Sequence, residues 1–396
     1  MKWLICTFQI NWHCIFWCLS TQFILAITLL RTEWGVYIMD WIAGCVKAFM
    51  ENGYKSSEFL FGKSSDHRIV MKSLPLLFLV NSFLAILYHF GLMQIVLKCI
   101  GKALSSTLET TPPESLSVAA NLFLGGTQAT LVIKPYLNTM SISELFALVV
   151  GCFSSVSGVV FGIYINFGAP AKHLLTASIM SAPASFAIAK LLVPETKPNR
   201  DSDWENTKLD ITKYKNILDA TGRGALEVMG VFTSIVVNLY VFYALLQFLN
   251  SVLIWSGERI GIENLSFQLV VSYLLMPLPV FMGVDIQDCR SIAKLIGYKL
   301  VGSNSLSFIK LGKLRENKEL SFNFSPSFQE RSTAIATYAM CGFSNFSSIG
   351  IMLGTLYVLI PKRNGILVKI ICKAMIAGNI ACYLTACIAG KAIVCR

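Results

Sequence analysis

Charge-free apolar windows set the rhythm of this chain. Thr7–Leu30, Ser73–Leu97, Ser115–Ile133, Leu145–Ala171, Val228–Gly257, Leu265–Val284, Ser332–Pro361 and Ala374–Gly390 contain no Asp, Glu, Lys or Arg. A helix needs about 20 apolar residues to cross the hydrocarbon of a bilayer, and most of these windows supply them. They lack the polar stripe of a helix on a soluble core. The pattern predicts an all-α polytopic membrane protein. Its expected spans are Trp12–Leu30, Leu74–Leu97, Leu145–Ile165, His173–Leu192, Glu227–Ile254, Leu265–Met282, Ser332–Leu359 and Ile370–Ile388. Glu33–Met50 instead alternates at helical spacing, with Val36, Met39, Ala43, Val46 and Met50 on one side. Its Trp34, Tyr37 and Trp41 suit a helix lying in the membrane interface.

Two segments are too short and too broken to cross. Pro112-Pro113 opens a run that stops at Gly125-Gly126, and a second run, Ala129–Tyr136, ends around Pro135 and Asn138. Gln287–Lys299 and Ser305–Leu311 flank a polar tip at Gly302-Ser303-Asn304. Each pair predicts a re-entrant hairpin. After each hairpin comes a span with a polar interruption, Ser154–Gly158 in the first case and Ser344–Ser348 in the second. The order hairpin then interrupted span thus occurs at 113–165 and again at 287–359. Small residues alone often serve helix packing in membranes. Breaks in corresponding places in two halves point instead to a carrier's binding site, because unwound backbone at membrane depth must line a cavity or bind something.

Composition agrees. Of 396 residues, 55% are hydrophobic and 14% charged, against about 25% charged in soluble domains. The net charge of +11 comes from basic residues at segment ends, such as Lys98, Lys102, Lys134, Lys172, Lys190, Lys362 and Arg363. No basic stripe interleaved with aromatics is present, so nucleic acid is not an expected partner. The twelve Cys are dispersed, with no CxxC pair, and read as small buried hydrophobes. The four His (His13, His67, His89, His173) are far apart, and no nucleophile–base or metal spacing appears, so no enzyme is expected. The first apolar run is longer than the apolar region of a leader and lacks a small-residue cleavage pattern before Arg31, so it is expected to span. Asn264 and Asn323 open glycosylation triplets; Asn345 opens another inside a span, where no sugar is expected.

Several collinear blocks carry a family likeness. Leu84–Gln94 (LAILYHFGLMQ), Glu114–Pro135, Leu174–Glu195 (LLTASIMSAPASFAIAKLLVPE), Gly297–Phe308 and Cys341–Gly354 (CGFSNFSSIGIMLG) resemble the concentrative nucleoside transporters. These are sodium- or proton-coupled nucleoside symporters. The likeness runs from about Ile10 to Ala389. It implies a homotrimer in the plasma membrane, with scaffold helices around an inverted-repeat transport core of two hairpins and two unwound helices. Relative to animal members the chain is expected to begin after the early transmembrane helices.

The same resemblance implies a site. Sodium, the coupling ion, would be held by the side chains of Asn121 and Ser155 and by carbonyls of Leu124, Ser155 and Val156. Oxygen ligands of this kind suit a hard cation. Nucleoside contacts would fall on Thr127, Gln128, Asn304, Phe343, Asn345 and Ser348. No other cofactor is implied. Both hairpin tips depart from the family. Its first tip reads Gly-Gln-Thr-Glu-Ala-Pro, where this chain has Gly125-Gly126-Thr127-Gln128-Ala129-Thr130. Its second follows G-x-K-x-x-x-N-E-F-x-A, where this chain keeps Gly297 and Lys299 but has Ser303-Asn304-Ser305, with Ser307 in the Ala position. Both tip carboxylates are therefore amides, and charge-assisted bonds of roughly 1.5–3 kcal/mol become neutral bonds of about 1 kcal/mol.

The expected function is sodium-coupled nucleoside symport with altered selectivity or weakened affinity. The alternatives are a non-transporting paralogue that keeps the fold as a binding or structural membrane protein, and an uncoupled carrier. The expected organisation is an N-terminal span and interfacial helix (1–72), a first core half (73–193, tip at 125–130, interrupted span 145–165), a hydrophilic loop (194–223) and a second half (224–396, tip at 302–305, interrupted span 332–359).

Overall fold

The computed structural model describes residues 10–62, 75–108, 110–156, 158–195, 214–261, 265–319 and 331–394. The glycosylation triplets at Asn264 and Asn323 lie outside them. Helices make up the described structure, and no strand occurs among the described residues.

α1 (Trp12–Leu30) starts where Asn11 accepts a hydrogen bond from the Cys14 amide, and α2 (Glu33–Phe61) starts where Thr32 accepts one from Gly35. Such caps satisfy amides that a helix start leaves open. Trp34, Tyr37 and Trp41 are exposed along α2, as an interfacial helix requires. The helix continues past Met50 to Phe61, because polar Asn52–Glu58 still has helix-compatible residues on a solvent-facing turn.

The expected single span at Leu74–Leu97 is two helices, α3 (Leu76–His89) and α4 (Leu92–Leu108), bent by 79°. Gly91, at φ +77°, makes the bend; a left-handed residue is costly for any side chain with a Cβ. The hairpin follows as α5 (Pro112–Phe123) and α6 (Gly126–Val132), with Gly125 and Gly126 at positive φ between them. The interrupted span is α7 (Ile142–Ser154) and α8 (Gly158–Asn166). A capping box opens α7, in which Ser141 and Glu144 satisfy each other's backbone amides.

α9 (Ala171–Leu192) is the central post. Thr176, Ala177, Ser178, Ser181, Ala182, Ala184 and Ser185 are buried, and these small side chains let α1, α7 and the C-terminal helix pack closely around it. The hydrophilic loop is partly helical: α10 (Ile217–Glu227), capped by Asn216, lies against α3, where Ser82 and Asn81 donate to the carbonyls of Thr221 and Gly224 at 2.9 and 2.5 Å. α11 (Met229–Ile260) exposes Tyr240, Phe248 and Trp255 along its length.

Pro277 and Pro279 divide the next apolar run into α12 (Phe267–Leu274) and α13 (Pro277–Phe281). The chain then turns through 118° at a break that contains Gly283 (φ +80°) into α14 (Ile286–Gly297). A π-helical turn, Tyr298–Gly302, leads to the second tip and α15 (Asn304–Glu319). The second interrupted span is α16 (Arg331–Cys341) and α17 (Phe346–Leu359), and α18 (Asn364–Val394) closes the described chain. Among the described residues, four helical spans qualify by length and hydropathy to cross a membrane, or up to six if each bent pair counts as one.

One apolar core gathers around α5, α7 and α18, including Leu116, Phe146, Leu148, Phe153 and Ile371. The other joins α8 to α14, α15 and α16 through Tyr164, Ile292, Phe308, Ile335 and Tyr338. Each broken helix is thus shared between the two cores, α7 and α17 in the first and α8 and α16 in the second. Of the described cysteines, Cys14, Cys18, Cys152, Cys289, Cys341 and Cys382 are buried, and all ten are free thiols.

Candidate functional site

Both helix breaks lie deep inside the protein. At the first, α7 ends on Ser154, and Ser155 turns to an extended conformation (φ −97°, ψ 162°). The hydroxyls of Ser154 and Ser155 fold back onto the Gly151 carbonyl at 3.1 and 2.9 Å. Asn121, on the hairpin helix α5, reaches the same turn. Its amide nitrogen lies over Gly151, at the place a side chain there would fill, and 3.5 Å from the Leu148 carbonyl. Its Oδ1 is buried and has no hydrogen-bond partner in the protein. A buried amide oxygen left open costs about 1–3 kcal/mol, so this one invites a donor or a cation. Leu124 and Val156, the other expected sodium residues, are buried beside it on the hairpin end and the break.

At the second break, α16 ends on Cys341 and α17 begins after Asn345. Asn345 caps α17, its Oδ1 accepting from the Ser348 amide and hydroxyl, both at 2.8 Å. Its Nδ2 donates to Oδ1 of Asn304 at 2.9 Å. Asn304 in turn sends its own amide nitrogen to the carbonyls of Met340 and Gly342 at 2.7 and 2.6 Å. Ser344 is fixed from the other side by Asn379, which accepts from its hydroxyl and donates to its carbonyl. Phe343 is half-buried at the same turn.

The expected substrate residues Asn304, Asn345 and Ser348 therefore form one bonded chain. Gln128 goes elsewhere: its amide nitrogen donates to Asn81 on α3 at 2.8 Å. Asn81 also holds Gly224 of α10, so the first tip is tied to α3 and, through it, to α10. Thr127 lies on α6 with its side chain outside the described set. Asn81 and Asn379 escaped the reading of the sequence. The signal was present, since each is a polar side chain in a charge-free apolar window, where an amide needs a partner.

The two breaks touch each other. A side chain at Gly342 would sit 2.7 and 2.9 Å from the carbonyl oxygens of Phe153 and Ser154. Gly378 of α18 packs as closely against Phe153. Outside this centre, Lys190 pairs with buried Glu114 and lies 3.8 Å from Glu195, while Thr111 and Ser141 bond Glu144 and Glu195. That cluster joins hairpin, α7 and α9 ends, and reads as a structural ion pair.

Residues 173–390 match a family model described as Na+ dependent nucleoside transporter C-terminus, and residues 6–64 match its N-terminal counterpart. The chain belongs to the sodium-dependent nucleoside transporter family. Residues 70–171 match a further family model, described as Nucleoside recognition. The transporter named Solute carrier family 28 member 3 of Mus musculus is 39% identical over 388 residues, covering 96% of this chain and 55% of that protein. Sodium/nucleoside cotransporter 1 of Sus scrofa is 36% identical, with 96% of this chain and 60% of that protein covered. The chain thus spans somewhat over half the length of these curated relatives. Among solved structures, CNTnw in an inward-facing substrate-bound state superposes with a TM-score of 0.89 at 29% identity, covering 98% of this chain and 93% of that one. The fold, with its hairpins and interrupted helices, is the fold of this transporter family.

Proposed function

We propose that this chain carries nucleosides across the plasma membrane by sodium-coupled symport, working as a homotrimer of multi-pass protomers. The observation that carries the reading is the unpartnered Asn121 Oδ1 at the first helix break, set in the same core as the Asn304–Asn345–Ser348 chain at the second. Sodium is held by Asn121 and Ser155 with backbone oxygens of Leu124, Ser155 and Val156. These are neutral oxygen ligands at the C-terminal end of a half-helix, where the helix dipole favours a cation.

The substrate sits against the second break. Phe343 offers an apolar face for a flat base, and Asn345 and Ser348 offer an amide hydrogen and a hydroxyl to a sugar. Asn304 contributes by holding Asn345 in place, since its own amide hydrogens go to carbonyls. Thr127 and Gln128 reach the substrate from the first tip once Gln128 leaves Asn81. Residues 73–193 and 224–396 act as the two halves of the transport core, 1–72 as N-terminal scaffold and 194–223 as their connector.

Uptake of labelled uridine and adenosine into proteoliposomes, with and without an inward sodium gradient, tests the reading. Sodium-driven accumulation is expected for wild type, and Asn121→Ala is expected to lose the sodium dependence. Uptake without sodium dependence would mark an uncoupled carrier. No uptake by folded, inserted protein would mark a non-transporting member of the family.

A further inference from the structure

The second break carries a buried lysine of its own. Lys299 lies on the π-helical turn before the hairpin tip and is fully buried, with no exposed surface. Its Nζ donates to the carbonyl of Ala339 at 3.1 Å and lies 5.9 Å from the centre of the Tyr383 ring. No carboxylate pairs with it among the described residues. What faces the ammonium is the C-terminal end of α16, the negative end of the helix dipole. Asn304 takes the next carbonyls along, those of Met340 and Gly342.

The first half has the same plan with one part exchanged. There the broken helix α7 also presents its C-terminal end, and a hairpin residue, Asn121, also closes over its last turn. The Asn121 oxygen, however, has no partner, and no lysine occupies the position. One break offers an open amide oxygen without a cation, whereas at the other the Ala339 carbonyl is met by the Lys299 amine and those of Met340 and Gly342 by the Asn304 amide. A buried charge needs such compensation, and oriented carbonyls supply it for a lysine as they do for a metal ion.

We propose that Lys299 is a tethered cation that takes, at the second break, the place an exchangeable sodium takes at the first. The inference rests on the sodium reading of the first break and deepens it. Lys299 holds the carbonyl end of α16 and, through Asn304, the Asn345 amide, whatever the sodium concentration. The chain therefore has one exchangeable sodium site per protomer, and Lys299 is a positioning residue for the substrate.

The test is thermal unfolding of purified protein in detergent, titrated with sodium chloride against choline chloride at constant ionic strength. Wild type should be stabilised by sodium with single-site saturation, and Asn121→Ala should abolish the response. In the Asn121→Ala background, Lys299→Gln should restore a sodium response, because removing the tethered charge frees the Ala339 carbonyl beside those that Asn304 holds. Lys299→Arg, which keeps the charge, should not. A Lys299→Gln protein with no sodium response in that background overturns the proposal, as does one whose uridine KM equals that of wild type. The expected KM change is a rise of about tenfold at sodium that saturates wild type. If wild type itself shows no sodium response, the sodium reading of the first break fails instead, and the Lys299→Gln response still decides the charge at the second.

Discussion

Asn345 donates an amide hydrogen to Asn304 at 2.9 Å across the gap between the second hairpin tip and the broken helix behind it. This bond is possible because Asn304 is an amide whose two hydrogens both go to backbone carbonyls, leaving its oxygen turned toward Asn345. Asn304→Asp keeps the shape and replaces the donor with an acceptor that faces carbonyl oxygens. The expected loss is about 2–4 kcal/mol, the cost of two or more buried groups left unpaired. Chemical or thermal unfolding measures it, and an Asp variant as stable as wild type would show that these bonds do not hold the break.

The first tip is tied to α3 by one side-chain bond, Gln128 to Asn81. Gln128→Ala and Asn81→Ala should each weaken the tie, and the double variant should cost less than the sum. A coupling of about 1 kcal/mol is expected for a neutral buried bond. A double-mutant cycle on unfolding measures it, and strict additivity would dissolve the contact.

Gly342 has no room for a methyl group, whereas Gly350, one turn into α17, has open space around its Cβ position. Gly342→Ala should destabilise by about 1–3 kcal/mol through overpacking, while Gly350→Ala should be neutral or slightly stabilising, as helix propensity favours Ala. The pair, compared by melting temperature, separates close packing at the break from any general dislike of substitution in the span.

Two ion pairs should behave differently when broken. Lys190 and Glu114 are both buried, whereas Lys172 pairs with a half-exposed Asp40 at 2.9 Å. Lys190→Met should cost about 3–5 kcal/mol, since it strands a buried carboxylate. Lys172→Met should cost no more than about 1 kcal/mol. Equal losses in unfolding experiments would contradict the difference in burial.

Much of the architecture was legible because membranes punish broken helices. Ser154-Ser155 and Ser344-Asn345 interrupt apolar runs that had no other reason to stop, and Gly125-Gly126 marks a turn that only glycines take easily. The bend at Gly91 was not legible, since a single glycine in a membrane helix is common and its positive φ leaves no trace in the residues around it. The helix beginning at Ile217 was hidden in a run of mixed charge, and its existence depends on Asn81 and Ser82 across the fold. Asn304 and Asn345 could be named from the family likeness, but not that they would bond each other. That required knowing how closely hairpin and broken helix approach. Gln128 could likewise be named from the likeness, but not its bond to Asn81 of α3, a helix that no local pattern brings near it.

The contact of Gly342 with the carbonyls of Phe153 and Ser154 has a mechanical consequence. The two broken helices meet backbone to backbone there, with the Cys382 thiol of α18 the nearest side chain, so the seam has no slack to absorb a shift of either helix. A packing change at one break is therefore felt at the other.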